Sequence, residues 1–181
     1  MTRNTSHLRA LIERLARLDA AEAWAGDLNP SQAAALDYLA RANRFSRAPS
    51  HVADYLGSTR GTISQTLKAL VAKGMIAERR SDTDKRSISY DLTSAGRRAA
   101  GAARGLSTAL EGLDPHQRAE VEQTLAQLLS ELLEIRGGRP FGLCRTCRYH
   151  QTRDGAAYCG LLDVALTPEE SALICHEQTP E

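Results

Sequence analysis

All four cysteines of the chain, Cys144, Cys147, Cys159 and Cys175, lie beyond residue 143, and none precedes them. Their order is Cys-x-x-Cys, then eleven residues to Cys159 and fifteen more to Cys175. A Cys-x-x-Cys pair lets one turn of backbone present two thiolates to a single ion. Two further sulfurs complete a tetrahedral four-thiolate shell. The tail therefore reads as a small metal-binding module, for which zinc in a closed structural site is the first expectation. An iron–sulfur cluster takes the same four ligands, and a thiol/disulfide switch is the third reading. His150 and His176 are the remaining soft ligands nearby, with a hydrogen bond to a thiolate or a plain surface position as their ordinary roles. Arg145, Arg148 and Arg153 supply positive charge around the sulfurs. Such a tail serves as a structural clip beside dimerisation helices, as a zinc or redox sensor, or as a docking surface for another protein.

These ligands hang from an ordinary helical body. The chain has 181 residues, a formal net charge of +1, 42% hydrophobic residues and 4% aromatic ones. That is enough for one core plus an appendage, and the abundance of Ala and Leu favours helix. No apolar run approaches a membrane span of about 20 residues. Charges scattered through the first segment argue against a signal peptide. The expectation is a cytoplasmic protein, where thiols stay reduced and metal binding is favoured over disulfides. The near-neutral total conceals an asymmetry. Residues 41–98 hold twelve Lys/Arg against five acids, whereas the stretch from Cys144 onward holds three against six. A basic middle is the electrostatic footprint of a nucleic-acid face.

Periodicity supplies the elements that must carry this face. Leu8, Leu11, Ile12, Leu15 and Leu18 recur at helical spacing, predicting a first amphipathic helix to about Trp24. Asn29 and Pro30 open a second, with Ala33, Leu36, Leu39 and Ala40 inward and its end near Asn43. A short helix from Ser50 places Val52, Ala53 and Leu56 inward, and Gly57 supplies a turn. The next helix, from about Thr59, places Ile63, Leu67, Leu70 and Val71 inward, with Gly74 just past its end. Residues 75–79 and 87–92 read as two strands around a charged tip, hence a hairpin. Thr93 caps a helix predicted to reach Gly112. Asp114 and Pro115 start another, whose wide stripe runs through Val121, Leu125, Leu128, Leu129, Leu132, Leu133 and Ile135. Gly137 and Gly138 stop it and mark the start of the tail.

Helix, tight turn, helix and basic hairpin make a winged helix-turn-helix. The second helix suits the major groove of double-stranded DNA, and the hairpin suits the backbone or minor groove. With the apolar positions inward, Ser58, Thr59, Arg60, Thr62, Ser64, Gln65 and Lys68 face outward, and Arg60 and Gln65 are the best base-readers by chemistry. Arg80, Asp84, Lys85 and Arg86 lie in the hairpin. The apolar stripe from Val121 to Ile135 is wider than one helix contact needs, which points to a homodimer, with packing on the body of its own subunit as the alternative.

The residues Leu28–Gln32, Val52–Gly57, Ser58–Ser64, Lys73–Ile76, Asp84–Arg86 and Leu92–Gly96 together give the chain a pattern that resembles the MarR family of bacterial transcriptional regulators, from about Leu8 to Ile135. The resemblance implies a mainly α fold with a small β-wing, with N- and C-terminal dimerisation helices. It implies a dimer on a pseudo-palindromic operator, usually a repressor, with Arg86 reaching into the minor groove and Asp84 orienting it; an Arg in a narrow minor groove reads shape. Many members bind small phenolic or aromatic effectors; this sequence identifies none. The expected organisation is a winged-helix DNA-binding and dimerisation domain over 1–138, with the helix-turn-helix at about 50–74 and the wing at about 75–92. The cysteine-rich metal-binding tail, 139–181, lies outside the family pattern.

Two other classes compete. A Cys-x-x-Cys redox enzyme needs a thioredoxin-like βαβ pattern, which is missing, as are a phosphate-cradling glycine loop and a nucleophile–base set. The chain is therefore expected not to be an enzyme. A protein-interaction adaptor could use the same winged helix without DNA. Replacing Arg86 with Ala is expected to weaken duplex binding while leaving the dimer folded. Unchanged affinity would remove Arg86 from the DNA face.

Overall fold

A computed structural model of the chain describes residues 3–22, 27–80, 88–101 and 105–180. Helix α1 (Arg3–Glu22) precedes α2 (Pro30–Arg41), the central helix of the main core. The start of α2 is fixed by a reciprocal cap. Asn29 Oδ1 accepts from Gln32 N–H at 2.9 Å, Gln32 Oε1 accepts from Asn29 N–H at 3.3 Å, and Pro30 occupies the first turn. Helices α3 (Pro49–Tyr55) and α4 (Arg60–Ala72) are joined through Gly57, whose φ of +59° favours glycine. Strands β1 (Ile76–Arg80) and β2 (Ile88–Leu92) pair antiparallel, from Ile76 opposite Leu92 to Arg80 opposite Ile88. Leu36 and Leu39 of α2 pack with Val52, Ile63, Leu67, Leu70, Ile76, Tyr90 and Leu92 in one buried core. Each such side chain contributes about 1.5–3 kcal/mol through its removal from water.

Two expectations need correction. Val71 is 39% exposed rather than inward. Thr66 is buried in α4 instead, its hydroxyl donating to the Thr62 carbonyl at 3.0 Å. A threonine that satisfies its hydroxyl on its own helix can occupy a core-facing position, which a purely apolar count misses. The helix expected from Thr93 to Gly112 is described as two pieces, α5 (Ser94–Ala100) and α6 (Gly105–Glu111). Gly101 is the C-cap of α5, and residues 102–104 lie outside the described residues. Low helix propensity at glycine favours an end there.

Helix α7 (Pro115–Arg136) carries a capping box between Asp114 and Gln117 and ends at Gly137 in the left-handed conformation. Gly138 N–H then closes on the Leu133 carbonyl at 2.8 Å. Leu8, Leu11, Ile12, Leu15 and Leu18 of α1 and Val121, Leu125, Leu128, Leu129, Leu132 and Ile135 of α7 are all exposed. Neither apolar face is covered by the body of its own chain.

The tail folds into short strands: β3 (Gly142–Leu143), β4 (His150–Arg153), β5 (Ala156–Cys159), β6 (Val164–Ala165) and β7 (Ile174–Cys175), with a single-turn helix α8 (Pro168–Ser171). β3 pairs with β7, and β4, β5 and β6 form an antiparallel sheet in that order. The tail docks on the turn between α2 and α3. Asn43 N–H donates to the Ile174 carbonyl at 2.9 Å, and His176 N–H donates to Ser46 Oγ at 2.9 Å. Arg44 pairs with Glu170 and donates to the Ala165 carbonyl at 3.0 Å. Phe141 and Ile174 pack on the main core. The His176 ring stacks on His51 of α3, centroids 3.5 Å apart and planes 19° apart.

Two predictions follow from this packing. A Gly-to-Ala change inside a helix ordinarily stabilises, but at Gly96 the new Cβ would overlap the Met75 carbonyl oxygen and sit 3.4 Å from Leu36 Cδ1. Gly96→Ala is therefore expected to destabilise by about 1–3 kcal/mol in urea unfolding, since backbone must move to admit the methyl. A midpoint equal to or above wild type would show that the contact of α5 with the Met75 backbone yields freely. The second concerns pH. Burial, then the neighbouring His176, lowers the His51 pKa from 6.5 to about 4, partly opposed by Asp54 and Glu177. A depressed histidine pKa stabilises the fold above the unfolded value and loses that contribution as pH falls toward the folded one. Between pH 6.5 and 4 the protein is expected to lose about 1 kcal/mol from this group, discounted for its partial exposure. His51→Phe, which keeps a ring in the stack, should flatten that slope, and an equal slope in the variant would exonerate His51.

Candidate nucleic-acid interface and metal centre

The N-terminus of α4 is built by Thr59, whose Oγ1 accepts from Thr62 N–H at 3.1 Å. The Thr59 and Thr62 hydroxyls lie 2.8 Å apart. Thr59 is thus committed to capping, while its side chain stays exposed beside Arg60 and Thr62. Of the outward row expected from the sequence, Thr59, Arg60, Thr62, Gln65 and Lys68 are exposed, and Ser58 and Ser64 are half-buried. Arg60, Gln65 and Lys68 carry no hydrogen bond or ion pair to any other described residue. Their donors are available to an outside acceptor, and burial of Ile63, Leu67 and Leu70 on the opposite side fixes which way they point.

At the wing, Arg80 is exposed at the end of β1, and its Nε lies 3.2 Å from Glu78 Oε1. Asp84, Lys85 and Arg86 lie outside the described residues. The base of the wing is pinned to the turn after α2. Asp91 of β2 pairs with Arg79 and with Arg47, the latter at 2.8 Å, and Tyr90 N–H donates to the Arg47 carbonyl at 3.1 Å. Arg47 was not among the residues singled out from the sequence; an arginine spent on holding the wing carries no local mark that separates it from one that meets DNA.

The four cysteines are brought to one side of the tail. Cys144 and Cys147 flank a 3₁₀ turn in which Cys147 N–H donates to the Cys144 carbonyl at 3.1 Å. Cys175 lies on β7, paired to β3 just before Cys144. Cys159 ends β5 opposite His150. All four are buried, at 4–8% exposure, and none is in a disulfide. Burial pushes the Cys144 thiol up to about 12, and Cys175, Cys159 and Cys147 add to it in that order. All three are therefore within electrostatic reach of Cys144. Thr179 N–H donates to Cys147 Sγ at 3.4 Å, the kind of bond that stabilises a thiolate. Among the described residues no group of three or more His, Cys, Asp or Glu side chains forms a ready ligand shell as it stands. The donor set nonetheless has the chemistry of a soft-cation site: four buried thiols, with the Glu170 carboxylate also acting on Cys144.

The histidines are engaged elsewhere. His150 Nε2 is 3.0 Å from Ser171 Oγ, and His176 Nε2 is 3.2 Å from Arg139 Nη1. Arg153 lies over the Tyr158 ring at 3.7 Å and 3.6 Å from Asp163. Among the described residues no helix is long and apolar enough to cross a membrane.

Comparisons with known proteins agree with this geometry over the body of the chain. Residues 26–87 match the MarR family model. Among solved structures, Streptococcus pneumoniae FabT in complex with DNA is similar at 22% identity and a TM-score of 0.60, covering 74% of this chain and 97% of its own. The S. aureus MepR–DNA complex gives 20% identity and a TM-score of 0.56, covering 73% and 99%. A MarR transcriptional regulator from Methanosarcina mazei Go1 gives 20% and 0.58, covering 72% and 96%. No curated protein matches the chain. Each of these structures is matched almost throughout, while part of the present chain stays unmatched. The matched family is one of transcription regulators rather than enzymes. Segment 26–87, with its helix-turn-helix and first wing strand, is thus MarR-like in sequence, set in a fold shared with MarR-type winged-helix regulators.

Proposed function

We propose that this chain is a dimeric winged-helix transcription regulator that binds a pseudo-palindromic operator as a repressor and carries zinc on Cys144, Cys147, Cys159 and Cys175. The observation that carries the DNA reading is the outward row of α4. Arg60, Gln65 and Lys68 stand exposed and unpartnered among the described residues, beside the strands of a basic hairpin. Two of the solved relatives are bound to DNA. Arg60 and Gln65 have the donor geometry to read base edges, and Lys68 and Arg80 suit phosphates. Asp84, Lys85 and Arg86 lie outside the described residues and enter this reading from their place in the sequence alone.

The homodimer is supported by the two uncovered apolar faces of α1 and α7. Faces of this extent are rarely left in water, and a second copy would place two recognition helices about one DNA turn apart, roughly 34 Å. The four buried thiols would hold the ion, which supplies a cross-link among strands too short to stand alone. The chain's own contribution is to keep water from the sulfurs and to donate Thr179 N–H to Cys147.

The test is made on protein purified without oxygen, by metal and acid-labile sulfide analysis alongside duplex binding at rising salt. One zinc per chain without sulfide is expected, and iron with sulfide would replace zinc by a cluster on the same cysteines. Affinity is expected to fall with salt at a logarithmic slope of about −0.9 per phosphate contacted. Salt-independent or absent duplex binding would leave the adaptor reading standing instead.

A further inference from the structure

We infer that the four-thiol pocket acts directly on the DNA-reading unit, through the turn Ala42–Arg47, rather than through the dimer helices. This rests on the reading of the cysteines as a metal site and of α4 as the DNA face. The residues on both sides of Cys175 grip this one turn. Ile174 bridges Ala42 and accepts from Asn43 N–H at 2.9 Å. His176 donates its N–H to Ser46 Oγ at 2.9 Å and stacks on His51 of α3. From within the turn, Phe45 reaches back and packs on the cluster of Cys144, Cys159 and Cys175.

The turn is itself rigid and passes its position on in two directions. Asn43 Oδ1 accepts from Phe45 N–H at 3.2 Å and from Ser46 Oγ at 2.7 Å. The Ser46 carbonyl accepts from the Tyr38 hydroxyl at 2.6 Å. Forward along the chain, Ala48 is the N-cap position of α3, the first helix of the helix-turn-helix. Sideways, Arg47 binds Tyr90 and Asp91 of the wing. A displacement of Cys175 relative to the other sulfurs therefore moves α3 and the wing base together.

The pairing that holds Cys175 in place is weak without an ion. β3 and β7 share only two residue pairs, fewer than an isolated ribbon needs. Filling the sulfur shell fixes residues 174–176 and with them the turn. Losing the ion releases them, and the wing and α3 lose a support that the DNA-bound state requires. On this inference the pocket is a built-in control of DNA affinity, which requires that the filled and empty sulfur shells hold the turn differently.

The experiment uses the full chain with its metal in place and the same protein after chelation under reducing conditions. The probe is a duplex enriched from a random-sequence pool by the metal-loaded protein. Removing the metal is expected to weaken duplex binding about tenfold, within the usual range of coupling between sites. Amide exchange should quicken at Asn43, at His176 and along α3. A double variant, Ser46→Ala with His51→Ala, removes both contacts of His176 with the turn and α3 without touching a thiol. It should keep its metal at one equivalent while its duplex affinity no longer responds to chelation. Wild-type affinity and exchange that ignore the metal overturn the inference, as does a double variant that keeps the full response. Should no duplex be enriched, the DNA reading fails on its own. The exchange measurement on Asn43 and α3 then still decides whether the pocket holds the turn.

Discussion

Three parts of this protein meet on one buried phenol. Tyr38 of α2 is fully buried, and its hydroxyl donates to the Ser46 carbonyl at 2.6 Å. Its ring lies 4.5 Å from Tyr55 of the helix-turn-helix and 6.1 Å, edge-on, from Phe141 at the root of the tail. Burial raises its pKa, so the phenol stays a neutral donor. A buried tyrosine needs a partner for its hydroxyl, and here the partner is the backbone of the turn that the tail also grips. Remove that bond and the turn, the first reading helix and the tail lose their common reference.

Around this point the molecule divides its surface by chemistry. The inner faces of α2, α4 and β2 are consumed by the core. The outer face of α4 is left with cations and amides that have no internal task, while α1 and α7 are left with leucines. Neither surplus stabilises an isolated chain. Exposed leucines at helical spacing are explained by another apolar surface, and unpartnered Arg, Gln and Lys by an anionic one. The two requirements are compatible because they lie on different helices. At the wing, Asp91 engages the mostly buried Arg47 and the exposed Arg79 in ion pairs.

How much of this could be read from the chain follows from the range of each interaction. Asn29-Pro30, Gly57, Gly74, Asp114-Pro115 and Gly137 mark boundaries through backbone chemistry within a few residues, and the structure has ends at each. The outward row of α4 follows from periodicity, since Ile63, Leu67 and Leu70 fix the helix's rotation. Val71 was misplaced because one hydroxyl, that of Thr66, satisfied itself on its own helix and took the buried position. The docking of the tail was not legible at all. Arg44 with Glu170, and His51 with His176, join residues more than a hundred positions apart by polar contacts that impose no period on either segment. That the cysteines share one segment was plain from their positions, but the neighbourhood of that segment to the helix-turn-helix was not.

The nature of that docking surface bears on what the tail can do. Its centre is polar: Asn43 and Ser46 are fully buried, and they meet the tail through backbone and hydroxyl hydrogen bonds. Apolar anchoring comes from Phe141 and Ile174 at its edge. Hydrogen bonds of this kind contribute about 0.5–1.5 kcal/mol each, because water replaces them when they part. A tail held by leucines alone would expose core on leaving and carry the winged helix with it. Separation of this tail uncovers Phe141 and Ile174 along with the polar centre, and water can replace the partners of Asn43 and Ser46 but not the apolar contacts. Asn43 Nδ2, His51 Nδ1 and His176 Nδ1 are buried without a partner among the described residues, and each would gain one on hydration. The polar centre therefore makes this docking weaker than an apolar seam of the same size, and a ligand that held Cys175 against the other thiols would add directly to it.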